Sequence, residues 1–171
     1  MTCPYCSAEN LDGVDDCAEC GQPLSDAHLA DPSTAVEQRL LTDHVDVLSP
    51  KDPIAISAQT PVRDVLRMLV DRHIGCLIVA EQGKPIGIFS ERDALVKLNT
   101  NAAALGDRPV SEFMTTAPET LEIGAKVAFA VQRMEVGGYR HLPIVGDTGE
   151  LTGIISVRDI LHYLTENLPD A

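Results

Sequence analysis

Tryptophan is absent from this 171-residue chain, and it has only three phenylalanines and three tyrosines. A core made without aromatic bulk must be aliphatic, and a hydrophobic content of 44% supplies the Val, Ile, Leu and Ala for one. Lysine is scarce too: there are four, in a chain with 26 acidic residues and a net charge of −13. A field of that sign repels DNA, RNA and anionic lipid. It also opposes any anionic small molecule, so a nucleotide site would need its own arginines or helix N-termini. Such a surface fits a salt-rich cytoplasm or an ordinary acidic soluble protein. No run approaches the roughly 18 consecutive apolar residues of a membrane span. The opening MTCPYCSAEN has neither the basic nor the apolar region of a secretory signal. A cytoplasmic location with no membrane contact is therefore expected. Walker, GxGxxG, nucleophile-elbow and HExxH stretches are also missing, so no enzyme is expected.

Cysteine, by contrast, is concentrated. Cys3 and Cys6 form CPYC, and Cys17 and Cys20 form CAEC, giving C-x2-C-x10-C-x2-C. Two residues between cysteines let both thiolates reach one metal ion, and two such pairs close a tetrahedral four-sulfur site. Pro4, Gly13 and Gly21 suit the tight turns this requires. The segment has too little apolar residue to fold without a metal staple. The alternatives are two disulfides, which need an oxidising compartment, or redox pairs, which need a flanking strand and helix. The expectation is a structural zinc ribbon over residues 1–25, with Cys3, Cys6, Cys17 and Cys20 as ligands. Residues 2–26 hold no Lys or Arg, which favours a protein contact over nucleic acid. Residues 26–43 form a linker, with a short helix capped by Ser33 or Thr34 and running to Thr42, Val36, Leu40 and Leu41 on its apolar side.

The remainder states one pattern twice. GIFSERD (87–93) and GIISVRD (153–159) agree at five of seven positions, 66 residues apart. Around each lies the order strand, helix, strand, turn, strand, helix. In the first copy these are 53–56, 61–74, 76–80, a turn at Gly83, 85–90 and 91–98. In the second they are 119–123, 125–136, 142–145, a turn at Gly149, 151–156 and 157–164. Register is continuous from about residue 76 to 98, with one residue of slippage upstream, between the first helix and the first strand. A unit of this size cannot bury both faces of its sheet alone, whereas two packed about a pseudo-two-fold axis can. The predicted fold class is α/β (α+β): two β-α-β-β-α repeats, 44–106 and 107–171, behind the small ribbon.

VSEFMTTAPETLEI (110–123), GYRHLPIV (138–145) and the twice-seen G-h-h-S-x-R-D, where h is apolar, carry a resemblance. Residues 44–166 resemble a tandem pair of CBS domains, a Bateman module. The resemblance implies a non-enzymatic regulatory sensor of adenine nucleotides such as AMP, ADP or ATP, usually a homodimer formed through the CBS helices. It implies that Ser90 with Asp93, and Ser156 with Asp159, hold ribose or phosphate, and that the run with Arg140 and His141 meets the adenine edge and phosphate.

The residues themselves allow that reading and another. Each heptad sits at a strand-to-helix junction, where free N–H groups favour anions and where Arg92 and Arg158 add positive charge. A carboxylate at Asp93 or Asp159 can accept from both ribose hydroxyls. Yet Ser-x-x-Asp before a helix is also close to a capping box. The first copy carries Ile74 and Gly75 where the second has Arg140 and His141, which weakens the case for phosphate there. His141 reads as a structural hydrogen-bonder. Cys76 aligns with Leu142 and reads as a buried apolar residue, and Met68 and Met134 read as core. The rival functions are a purely structural interaction module with degenerate pockets, a nucleic-acid regulator working through the ribbon, and a pair that binds S-adenosylmethionine or a metal.

Overall fold

The computed structural model describes residues 3, 8–11, 14–19, 21, 24 and 34–168. Helix α1 (Ala35–Thr42) begins at the expected cap. Thr34 Oγ1 accepts from the Glu37 N–H at 3.2 Å, and Glu37 Oε2 accepts from the Thr34 N–H at 2.9 Å. Just past its end, Asp43 Oδ2 accepts from Tyr163 Oη at 2.8 Å. Burial first, then this carboxylate, push the Tyr163 hydroxyl up to about 12.

The first repeat supplies β1 (Ala55–Ile56), α2 (Val62–Asp71), β2 (Cys76–Glu81), β3 (Lys84–Ser90), α3 (Glu91–Asp93) and α4 (Ala102–Leu105). Next come β4 (Thr115–Thr116), β5 (Leu121–Glu122), α5 (Val127–Gly137), β6 (His141–Val145), β7 (Leu151–Ser156) and α6 (Val157–Asn167). They build two sheets, ordered β1-β2-β3-β4 and β5-β6-β7. In each, a parallel pair precedes an antiparallel hairpin. This is the mixed α/β architecture the duplicated pattern predicts.

The slippage turns out to be confined to the first helix of each copy. Ala55 pairs with Ile78 and Leu121 with Ile144, both strands keeping the 66-residue offset. The buried helix residues Val62, Val65 and Leu69 instead match Val127, Ala130 and Met134 at an offset of 65. The second copy is one residue shorter before its helix and one longer after it. The extra residue falls in Gly138–Tyr139–Arg140, after helices that end at matching left-handed residues, His73 (φ 51°) and Gly138 (φ 65°).

Each repeat is completed by the leading segment of the other. Val45 and Leu48 are buried with Leu121, Val127, Leu142, Ile144 and Ile155 of the second repeat. Val110 is buried with Val62, Val65, Leu77, Val79 and Phe89 of the first, with Phe113 and Met114 packed against them. The main chain repeats the exchange. The Val62 N–H donates to Arg108 O, and the Val127 N–H to Asp43 O, each at 2.9 Å. Strand β4 adds to the edge of β3, and Lys51 makes the corresponding bridge to Ile154 on β7. The first glycine of each heptad is explained by this approach. A Cβ on Gly153 would stand 2.8 Å from Pro50 Cβ, and one on Gly87 would collide with Met114 Sδ.

The heptad helices differ. α6 is unbroken, while α3 gives way after one turn to a π-helical turn, Ala94–Leu98, and a 3-10 turn, Asn99–Asn101. Leu98 is fully buried, and Asn99 takes φ 48°, ψ −132°, which turns the chain away from a continued helix. The chain must leave here to bring residues 108–117 back across the first sheet. No helix among the described residues is long and apolar enough to cross a membrane.

Candidate functional site

Both heptads form capping boxes. The Ser90 N–H and Oγ–H donate to Asp93 Oδ2 at 2.9 and 2.6 Å, and Ser90 Oγ accepts from the Asp93 N–H at 3.3 Å. The Ser156 N–H and Oγ–H donate to Asp159 Oδ2 at 2.7 and 2.6 Å. The next amides are taken as well: Glu91 N–H by Gly75 O, and Val157 N–H by Arg140 O, each at 3.0 Å. The expectation that these junctions offer free N–H groups to an anion is therefore narrowed: the amides of Ser90, Glu91, Asp93, Ser156 and Val157 are already taken by caps and neighbouring carbonyls.

The second oxygen of each aspartate faces a lysine. Asp93 Oδ1 lies 2.7 Å from Lys97 Nζ and accepts from Thr115 Oγ1 at 3.1 Å. Asp159 Oδ1 lies 2.8 Å from Lys51 Nζ. Lys97 comes from the same turn as Asp93, whereas Thr115 and Lys51 come from the exchanged segments.

Asp93, Ser90 and Arg92 open onto a cleft of about 280 Å³ between the repeats. Arg140, His141, Tyr139 and Gly138 close it from the second repeat, and Glu91, Lys97, Thr115 and Glu119 complete its polar lining. The volume lies just below the usual range of small-molecule sites, about 300–1,000 Å³. Three cations (Arg92, Lys97, Arg140) and three carboxylates (Glu91, Asp93, Glu119) balance there, in a chain of net charge −13. Ser156, Arg158 and Asp159 are not among its lining residues. The proposed residues thus divide: the first heptad and the Arg140–His141 pair line this cleft, and the second heptad does not. Sequence reasoning missed Lys97, Thr115, Glu119 and Tyr139. Lys97 had a signal, since it stands four residues after Asp93, the spacing of a helical ion pair.

The departure of the first copy has a steric reason. A Cβ on Gly75 would lie 2.7 Å from His141 Cε1 and 2.8 Å from Nε2. Gly75 and His141 are equivalent positions, 66 apart, that meet across the pseudo-dyad. A side chain at position 75 would need the His141 ring to move aside.

Burial, the largest influence, lowers the His141 pKa below the ordinary value, against Glu91 and Asp159 and with Arg140 and Arg158. A histidine neutral in the fold and protonated when unfolded costs stability once the unfolded chain takes up protons, below about pH 6.5. Stability is thus expected to fall from pH 7.5 to 5.5 in urea titrations, and His141→Gln to flatten that part of the profile. For Asp93 and Asp159 burial opposes the charge, but hydrogen bonds from Lys97 with Ser90, and from Lys51 with Ser156, outweigh it and depress both carboxyls. Their contribution is present above about pH 4 and lost as pH falls through the folded values. Cys76 lies behind Asp93 and Glu91; burial first, then those charges, push its thiol up to about 12, the state of a packed residue and not a nucleophile.

Of the four clustered cysteines, Cys3 and Cys17 are described and buried, and Asn10 Nδ2 donates to Cys17 Sγ at 3.4 Å. Cys6 and Cys20 lie outside the described residues. Among the described residues no group of three or more His, Cys, Asp or Glu is placed to hold a metal ion. Cys3 also lines a second cavity, of about 360 Å³, with His44, Lys126 and Arg133.

Comparison with known proteins agrees with this architecture. The chain is 33% identical over 135 residues to an uncharacterized 17.7 kDa protein of Acidianus ambivalens, covering 78% of this chain and 75% of that one. It spans only 58% and 21% of two other curated relatives. A CBS domain protein from Pyrobaculum aerophilum, complexed with AMP, superposes with a TM-score of 0.61 at 25% identity, over 72% of this chain and 99% of that one. The CBS domain pair of protein MJ0100, in complex with 5-methylthioadenosine and S-adenosyl-L-methionine, gives 0.64 at 21% identity, over 74% and 98%. The CBS domain model matches twice, at residues 45–99 and 110–166, and the chain belongs to the CBS domain family as a tandem pair.

Proposed function

We propose that this protein is a non-enzymatic regulatory module that binds one adenosine-type ligand per chain in the cleft between its repeats. The observation that carries this is the convergence of Asp93 and Arg92 from one repeat with Arg140 and the Gly138–Tyr139 turn from the other. Asp93 would accept from the ribose hydroxyls, Arg92 and Arg140 would pair with phosphate, and the turn would border the base. Ser90 holds the Asp93 carboxylate in place, and His141 fills the space across from Gly75. Relatives complexed with AMP, or with S-adenosyl-L-methionine, support the ligand class. The second heptad, Ser156, Arg158 and Asp159, is assigned a capping and packing role.

In the same proposal Cys3, Cys6, Cys17 and Cys20 hold a structural zinc ion whose ribbon contacts a partner protein. Burial of Cys3 and Cys17 within an otherwise polar segment is in keeping with it. A homodimer through the exposed Leu95 and Leu161 of the heptad helices belongs to the same proposal. A purely structural module is the second reading, favoured by the caps and lysines that already occupy both aspartates. Titration calorimetry with AMP, ADP, ATP and S-adenosylmethionine, each alone, separates the two. Micromolar binding of one is expected, and silence from all four in folded protein overturns the sensor in favour of the structural module.

A further inference from the structure

Two of the four lysines of this acidic chain sit on the two heptad aspartates, and they reach them differently. Lys97 is on the π-helical turn that follows Asp93, while Lys51 arrives from the exchanged segment. The residue equivalent to Lys97 in the second repeat is Tyr163, which binds Asp43. Lysine engagement of these carboxylates was therefore not simply copied when the unit duplicated.

We infer that Lys97 sets the ligand preference of the cleft: it holds the Asp93 oxygen that ribose needs and, once displaced, pairs with a phosphate. Asp93 Oδ2 is committed to Ser90, so ribose must compete for Oδ1, where Lys97 Nζ stands at 2.7 Å with Thr115 Oγ1 at 3.1 Å. Leu98, next in the chain, is buried, which anchors the lysine stem while its ammonium can swing within the cleft. A neutral nucleoside breaks the ion pair and gives the ammonium nothing in return. A phosphorylated one re-pairs it beside Arg92 and Arg140. A sulfonium in place of the phosphate offers the displaced ammonium no partner. The preference is thus for anionic adenosine phosphates, and it rests on the adenosine-binding reading above.

The test is calorimetry with AMP and with adenosine on the full-length wild type, Lys97→Met and Lys97→Arg, with circular dichroism to establish folding. Lys97→Met is expected to weaken AMP about tenfold and to tighten adenosine several-fold, opposite signs that a general structural defect does not produce. Lys97→Arg is expected to keep the preference for AMP. Parallel weakening of both ligands, or no change in either, overturns the role of Lys97 while leaving the cleft as the site. A wild type that binds neither compound overturns the site and this role with it.

Discussion

Residues 44–106, which make up the first repeat as the sequence repeats it, are expected to stay unfolded when expressed alone. Residues 52–117, a fragment of nearly the same length, are expected to hold more structure in urea than 44–106 does. The difference is the exchanged segment. The first fragment carries Val45 and Leu48, whose partners lie in the second repeat, and lacks Val110, Phe113 and Met114. Val110 is fully buried and contributes about 1.5–3 kcal/mol, and the half-buried Phe113 and Met114 add less each. Together they approach what a core of this size supplies in total, about 3–5 kcal/mol. The second fragment keeps the whole first core together with β4 and the carbonyls that receive the α2 amides. Circular dichroism with urea titration decides between them. A folded 44–106, or equal behaviour of the two, would mean that the exchanged contacts are dispensable.

Asp93→Ala is expected to weaken AMP binding at least about tenfold, because a ribose hydrogen bond to the charged Oδ1 is lost at about 1.5–3 kcal/mol. Asp159→Ala is expected to leave binding within about threefold, since its carboxylate lies outside the cleft lining. Both substitutions remove the acid of a capping box and cost similar stability, about 1 kcal/mol. Stability is therefore the internal control, and binding carries the asymmetry. Equal losses of affinity in the two variants would refute a single site per chain.

Much of this was legible in sequence, for identifiable reasons. Repetition of strand, helix and hairpin follows from local periodicity, and both heptads announce their caps through Ser-x-x-Asp. α1 was legible through its cap, Ser33 or Thr34, and the spacing of Val36, Leu40 and Leu41; Glu37, the other end of its box, was not singled out. The exchange was not, although Val45 and Val110 occupy matching positions. Periodicity says that a valine is buried but not in which of two similar cores. The π-helical turn was invisible because ERDALVKL keeps the leucine spacing of VRDILHYL; its cause lies downstream, where the chain must return residues 108–117 to the first sheet. Ile74 and Gly75 stood out as departures from Arg140 and His141. Only the meeting of Gly75 with His141 across the dyad gives the steric reason. The number of free N–H groups at the heptad helices was overestimated because Gly75 O and Arg140 O, distant in sequence, already accept from Glu91 and Val157.

The most direct measurement is the stoichiometry of AMP binding to the full-length protein by titration calorimetry. One AMP per chain, with micromolar affinity that falls at least about tenfold in Asp93→Ala, is the expected result. Two per chain would make the second heptad a working site and not a cap. No heat in protein shown to be folded would mean that the cleft between the repeats is not a ligand site.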